Sequence, residues 1–121
     1  MFKVEADKTA KLMTMTFTQH VGPEELREAV PAVNALATGL PAGFSLLSDM
    51  SGLTSMDPAC VPYIKDNMDL LNRRGIARVV RVIPDPHKDI GFNILSLFHY
   101  RRGVHIVTCE TLSEAKAVLA G

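Results

Sequence analysis

Apolar and polar residues alternate from the start of this chain. Phe2, Val4 and Ala6 interleave with Lys3, Glu5 and Asp7, the period-two pattern of a half-buried strand. After the polar turn Asp7-Lys8-Thr9 the alternation resumes over 11–17, with Met13, Met15 and Phe17 on one side. Two such segments with a short connection predict an antiparallel hairpin. The period then lengthens. Gly22-Pro23-Glu24-Glu25 opens a helix, because proline fits the first turn and carboxylates favour the positive end of the dipole. Leu26, Val30, Val33 and Leu36 supply its core face, Pro31 predicts a kink and Gly39 predicts the end.

Residues 44–60, FSLLSDMSGLTSMDPAC, read as a buried strand ending over 49–52, a short polar turn, and a helix capped by Asp57 with Pro58 at its first position. Val61, Ile64, Met68 and Leu71 form the stripe of that helix, and Arg73-Arg74-Gly75 stop it. Pro62 conflicts with a helix running unbroken from Pro58, so a distorted first turn or a shifted boundary is expected. ARVVRVI over 77–83 is a β-branched strand of the kind covered on both faces. Pro84-Asp85-Pro86 breaks it, a helix is predicted over 88–100, and a last strand over 104–108. Thr111-Leu112-Ser113-Glu114 is a capping-box pattern opening a terminal helix, with Leu112, Ala115, Val118 and Leu119 inward. The order β-β-α-β-α-β-α-β-α predicts an α/β fold in a single domain over 1–121. It is one mixed sheet of about five strands, antiparallel hairpin first and parallel strands after, with four helices.

Composition narrows the function classes. The 121 residues suffice for one core without staples. Thirteen basic and thirteen acidic residues cancel, which argues against a general nucleic-acid binder, since that needs a net basic surface. Cys60 and Cys109 form no framework and no C-x-x-C pair, as suits a reducing cytosol. The start, MFKVEADK, lacks the apolar run of a signal peptide, and no run approaches the ~20 apolar residues of a membrane span. The expectation is a cytoplasmic protein with no cofactor and no membrane insertion.

The pattern D-x-S-G-L-x-x-M-D, formed by Asp49, Ser51, Gly52, Leu53, Met56 and Asp57, resembles the signature of anti-sigma factor antagonist domains, the STAS (SpoIIAA-like) superfamily. In regulatory members D-S-S-G or D-S-T-G follows the methionine, and a kinase phosphorylates the second hydroxyl residue. Here the same register holds Asp57-Pro58-Ala59-Cys60, so Ala59 stands at the phosphosite position without an oxygen to modify. The resemblance covers the order of elements from Phe44 onward, and residues only over 49–57. It implies a SpoIIAA-like fold and a non-enzymatic regulatory or protein-interaction module. Its partner would be a switch-protein kinase or a larger sensory assembly, and the usual switch would be lost. Asp49, Ser51, Gly52, Thr54, Ser55 and Asp57 are then the candidate partner- or anion-binding residues. Local turn chemistry accounts for the same residue types equally well.

In an open parallel sheet ligands bind beyond the carboxyl ends of the strands, where loops 49–57, 84–88 and 108–111 are expected to converge. The segment 88–100 is apolar on more than one side. Ile90, Ile94, Leu97 and Phe98 share one helical face, Phe92 and Leu95 another, and Tyr100 widens the arc. A homodimer or partner interface would cover it, as would neighbouring loops. Alternatively it closes an apolar cavity, which would make the chain a small-molecule or lipid carrier. His99 to Gly103 with Arg78 and Arg81 could form a cationic site, or simply a solvated loop. The four histidines have no metal-site spacing. An enzyme using Cys109 with His105 or His87 as base ranks third, because a lone strand-end cysteine is usually a small buried residue.

Overall fold

The structure, a computed structural model, describes residues 1–83 and 104–121. Strands β1 (Phe2–Asp7), β2 (Leu12–Val21), β3 (Ser45–Met56), β4 (Arg78–Val82) and β5 (His105–Cys109) form one sheet in the order β1-β2-β3-β4-β5. The β1–β2 hairpin is antiparallel, and β2 to β5 run parallel to one another. Helices α1 (Pro23–Thr38), α2 (Val61–Arg73) and α3 (Leu112–Ala120) accompany them, and a 3-10 turn, Pro58–Cys60, precedes α2. The mixed five-stranded sheet is as expected. Of the four helices expected, the described residues contain three. The helix expected over 88–100 lies outside them, and so do Ile90, Phe92, Ile94, Leu95, Phe98, Tyr100 and His87.

Alternation in the hairpin sends Phe2, Val4 and Ala6 with Met13, Met15 and Phe17 to one face. There they meet Leu26, Val33 and Ala37 of α1 and Ile64, Met68 and Leu71 of α2. Phe2 and Phe17 are register partners whose rings lie 5.0 Å apart between centroids. The opposite face holds a smaller core, in which Leu47, Val80, Val82 and Cys109 pack against Ala115 of α3. Neighbours in sequence therefore serve different cores: Leu46 and Val79 face α1 and α2, while Leu47 and Val80 face α3.

The ends of α1 show how local chemistry fixes this packing. Glu25 accepts from the Gly22 N–H at 3.2 Å, closing the first turn, and from the Phe2 N–H at 3.1 Å. One carboxylate thus caps the helix and ties β1 to it. The helix continues through the exposed Pro31 as one element. Gly39 does end it, but in a right-handed conformation (φ −80°). The left-handed glycines are Gly43 and Gly75 (φ 91° and 90°), and a single backbone bond, Gly43 N–H to the Gly75 carbonyl at 2.7 Å, joins them.

Gly75 has no room for a side chain either, since an added Cβ would stand 3.0 Å from the Ala42 Cβ. Gly75→Ala is expected to cost at least about 1–2 kcal/mol, the penalty of a left-handed non-glycine residue. Urea unfolding of the two proteins measures it, and an unchanged midpoint would show that the turn relaxes without cost.

Candidate functional site

The polar stretch after Asp49 is strand rather than turn. β3 runs on to Met56 and pairs with β2 throughout, so the expected loop over 49–57 does not exist as such. The reason lies in the register. Thr16 pairs with Asp49 but Thr18 with Gly52, and Gln19 pairs with Leu53 but His20 with Ser55. Each step adds one residue to β3, so its twelve residues match the ten of β2. These are two bulges, which bend a strand and re-aim its side chains. They explain why Met50, Leu53 and Met56, spaced by three, are all buried on a strand whose natural period is two.

Between those anchors the bulges turn Ser51, Gly52 and Thr54 outward to solvent, with Ser55 half-buried. Asp49 is half-buried, and its Oδ1 accepts from the Ser51 N–H at 3.0 Å and from Ser51 Oγ at 2.6 Å. Gly52 lies against its register partner Thr18, whose Cγ2 would be 3.1 Å from an added Cβ. Ser55 Oγ lies 2.8 Å from His20 Nδ1. That partnership was invisible in the sequence, because only the second bulge brings His20 opposite Ser55. The pairing of β3 with β4 stops at Asp49, opposite Val82. Over 50–56, then, β3 has β2 on one side and no described strand on the other.

Asp57 closes the strand and caps the next element, as expected, although that element is the 3-10 turn. Its Oδ1 accepts from the Ala59 N–H at 2.9 Å, and its carbonyl from the Cys60 N–H at 2.9 Å. The boundary shift expected from Pro62 is real: α2 begins at Val61, with Pro62 in its first turn, where a missing N–H costs nothing. Ala59 is exposed at the middle of the 3-10 turn. Cys60 beneath it is fully buried, with its thiol 3.5 Å from the Val21 carbonyl. Burial, followed by the negative charge of Asp57, pushes that thiol up from its usual 9.0 to about 11.

Other candidates do not come together. Arg78 and Arg81 are three apart on β4 and so serve opposite faces; Arg78 Nε donates to Ser45 Oγ at 3.2 Å and Arg81 Nε to Thr108 Oγ1 at 2.9 Å. The two arginines therefore do not meet on one face, and the other members of that candidate, residues 99–103, lie outside the described residues. Cys109 is buried in the core beneath α3 while His105, on the same strand, is exposed, so no thiol–imidazole pair forms between them. No group of three described His, Cys, Asp or Glu side chains could hold a metal ion. No described helix is long and apolar enough to cross a membrane. The cavity between the sheet, α1 and α2 measures ≈ 20 Å³, room for about one water and far too small for a lipid.

No protein-family model and no curated protein matches this sequence. Among solved structures the chain is similar to the anti-sigma factor antagonist SpoIIAA in its unphosphorylated form. The identity is 15%, the TM-score 0.66, and 100% of this chain and 99% of that one are covered. It is also similar to a putative anti-sigma factor antagonist of Thermotoga maritima, at 16% identity and a TM-score of 0.61, covering 99% and 95% of the two chains. A third likeness is to an uncharacterized Shewanella loihica protein with a SpoIIAA-like fold, at 13% identity and a TM-score of 0.61, covering 98% and 92%. The fold is thus SpoIIAA-like, as the motif over 49–57 implied.

Removing the Asp57 cap by Asp57→Ala is expected to cost about 1 kcal/mol, read from the urea midpoint. The Cys60 thiol makes a separate prediction. Its folded value lies above its unfolded one, so its contribution is complete below about pH 9 and is lost as pH rises through about 11. Stability should fall across that window by up to about 2–3 kcal/mol. Cys60→Ala should flatten that part of the profile, and an equal slope in both proteins would assign the loss to other groups.

Proposed function

We propose that the chain is a non-enzymatic regulatory module that works by protein–protein contact through the bulged half of β3 and the 3-10 turn. One observation carries this reading. Over 50–56 the strand presents Ser51, Gly52 and Thr54 to solvent and has no described strand beside its outer edge. A free strand edge is a template for a second chain, which can add to it by main-chain hydrogen bonds. The deeply buried Met50, Leu53 and Met56 hold that edge in place, so docking needs little reordering. The SpoIIAA-like fold supports the same reading, because the solved structures it resembles include anti-sigma factor antagonists.

The module would act without a phosphorylation switch at the usual position. Phosphate adds close to two negative charges and can reverse docking at a helix start. Ala59 has no hydroxyl to receive it, and its N–H is already held by Asp57. A partner would therefore meet a surface whose charge is constant, and its control would come from the partner's side.

Two measurements test this. A photoreactive residue placed at Ser51 or Thr54 should crosslink to a discrete protein in extract of the source cell, and one placed at Ser113 on α3 should not. Equal crosslinking from both faces would sink the docking surface. Phosphate mapping of the chain after incubation with the same extract should find residues 51–60 unmodified; phosphate on Ser51, Thr54 or Ser55 would overturn the constant-charge reading.

A further inference from the structure

The α3 side of the sheet carries a groove of its own. α3 has nine residues and lies over β3, β4 and β5, leaving the part of that face built by β2 without a described helix above it. The result is a groove of ≈ 370 Å³ between α3 and β2, at the small end of the roughly 300–1,000 Å³ that ligand pockets span. Four leucines line it: Leu12 and Leu47 from the sheet, Leu112 and Leu119 from the helix. Thr14 and Thr16 add hydroxyls from β2, where alternation sets them on the same face as Leu12.

Two charges complete the lining. Asp49 enters from β3 and Lys116 from α3, where spacings of four and three put it on one face with Leu112 and Leu119. Both line the same groove, yet they form no ion pair with each other. Asp49 is held ready, because both hydrogen bonds from Ser51 converge on Oδ1. Its other oxygen keeps free acceptor capacity. An acid fixed on one wall, a flexible ammonium on the other and an apolar floor between them form a complementary set.

We infer that this groove binds a small zwitterion with an apolar body, of the class of α-amino acids with aliphatic or aromatic side chains. The ligand's ammonium would sit on Asp49, its carboxylate on Lys116 with help from Thr14 or Thr16, and its side chain on the leucines. Charge-assisted hydrogen bonds at both ends would set orientation, and the leucines would supply most of the burial. Asp49 also holds Ser51, so occupancy would be felt on the bulged strand. The inference does not depend on that strand being a docking surface.

Titration of the isotope-labelled full chain with L-leucine and L-phenylalanine, followed by amide NMR, tests it. Saturable shifts are expected at Thr14, Thr16, Leu47, Lys116 and Leu119. Leucinamide, which lacks the carboxylate, and N-acetylleucine, which lacks the ammonium, should each bind about tenfold more weakly or worse. Asp49→Asn should weaken leucine by about tenfold, and Lys116→Gln, at an exposed helix position that cannot threaten folding, severalfold. The inference falls if neither amino acid gives saturable shifts, if an analogue lacking one charge binds as well as leucine, or if Lys116→Gln leaves leucine affinity unchanged. It also falls if the groove signals shift with protein concentration alone, since a second copy of the chain would then be the occupant. Because crosslinking at Ser51 reads the other surface, either result can fail without the other.

Discussion

Everything in this fold hangs on β3 being paired along both edges over its first half and, among the described residues, along one edge over its second. From Ser45 to Asp49 it is hydrogen-bonded to β2 and β4, both parallel to it. A strand enclosed in this way must be apolar on both faces, and Leu46 and Leu47 meet that demand in opposite directions. Two cores then become possible on one sheet, one under α1 and α2 and one under α3. Past Asp49 the β4 pairing ends, and no described strand takes its place on the outer edge. The chain tolerates serine, threonine and glycine there because those side chains meet solvent rather than a packed core.

The bulges turn this change of environment into a surface. A regular strand from Ser45 to Met56 would send Met50 and Met56 to the same side and Leu53 to the other. Two inserted residues bring all three to buried positions while β2 stays in register beside them. Ser51, Gly52 and Thr54 are exposed for the same reason that the three apolar residues are not. The close approach of Thr18 to Gly52 belongs to the same geometry, since an added Cβ there would crowd the Thr18 side chain at 3.1 Å.

This is also why the sequence could be read so well up to residue 49 and less well just beyond it. The hairpin, α1, the β-branched β4, β5 and the terminal helix follow local rules of periodicity and capping, and each lies where those rules put it. Thr111 Oγ1 does accept from the Glu114 N–H at 3.1 Å. Glu114 reaches back instead to the Glu110 N–H, at 3.4 Å. The segment 50–56 defeats a period-two reading because its apolar spacing is three, and serine, threonine and glycine look the same in a bulged strand as in a turn. Only the partner strand distinguishes them. The groove beside α3 was illegible for a related reason: it is made by what α3 does not cover, and helix length relative to sheet width is not a property of any local window.

Asp49 and Asp57 show how one motif divides its work between two kinds of position. Asp57 commits its side chain to the backbone: Oδ1 holds the Ala59 N–H, and the residue fixes where the strand stops and the turn begins. That task needs a short acceptor and nothing of a partner, so it persists whether or not the next residues can be phosphorylated. Asp49 instead holds a neighbouring side chain, Ser51, and also lines the α3 groove. It sits where the double pairing of β3 ends, and so it borders both the bulged strand and the α3 groove. A 2.6 Å hydrogen bond joins Asp49 to the first exposed residue of the bulged strand, so the acid and that side chain share one position in the fold.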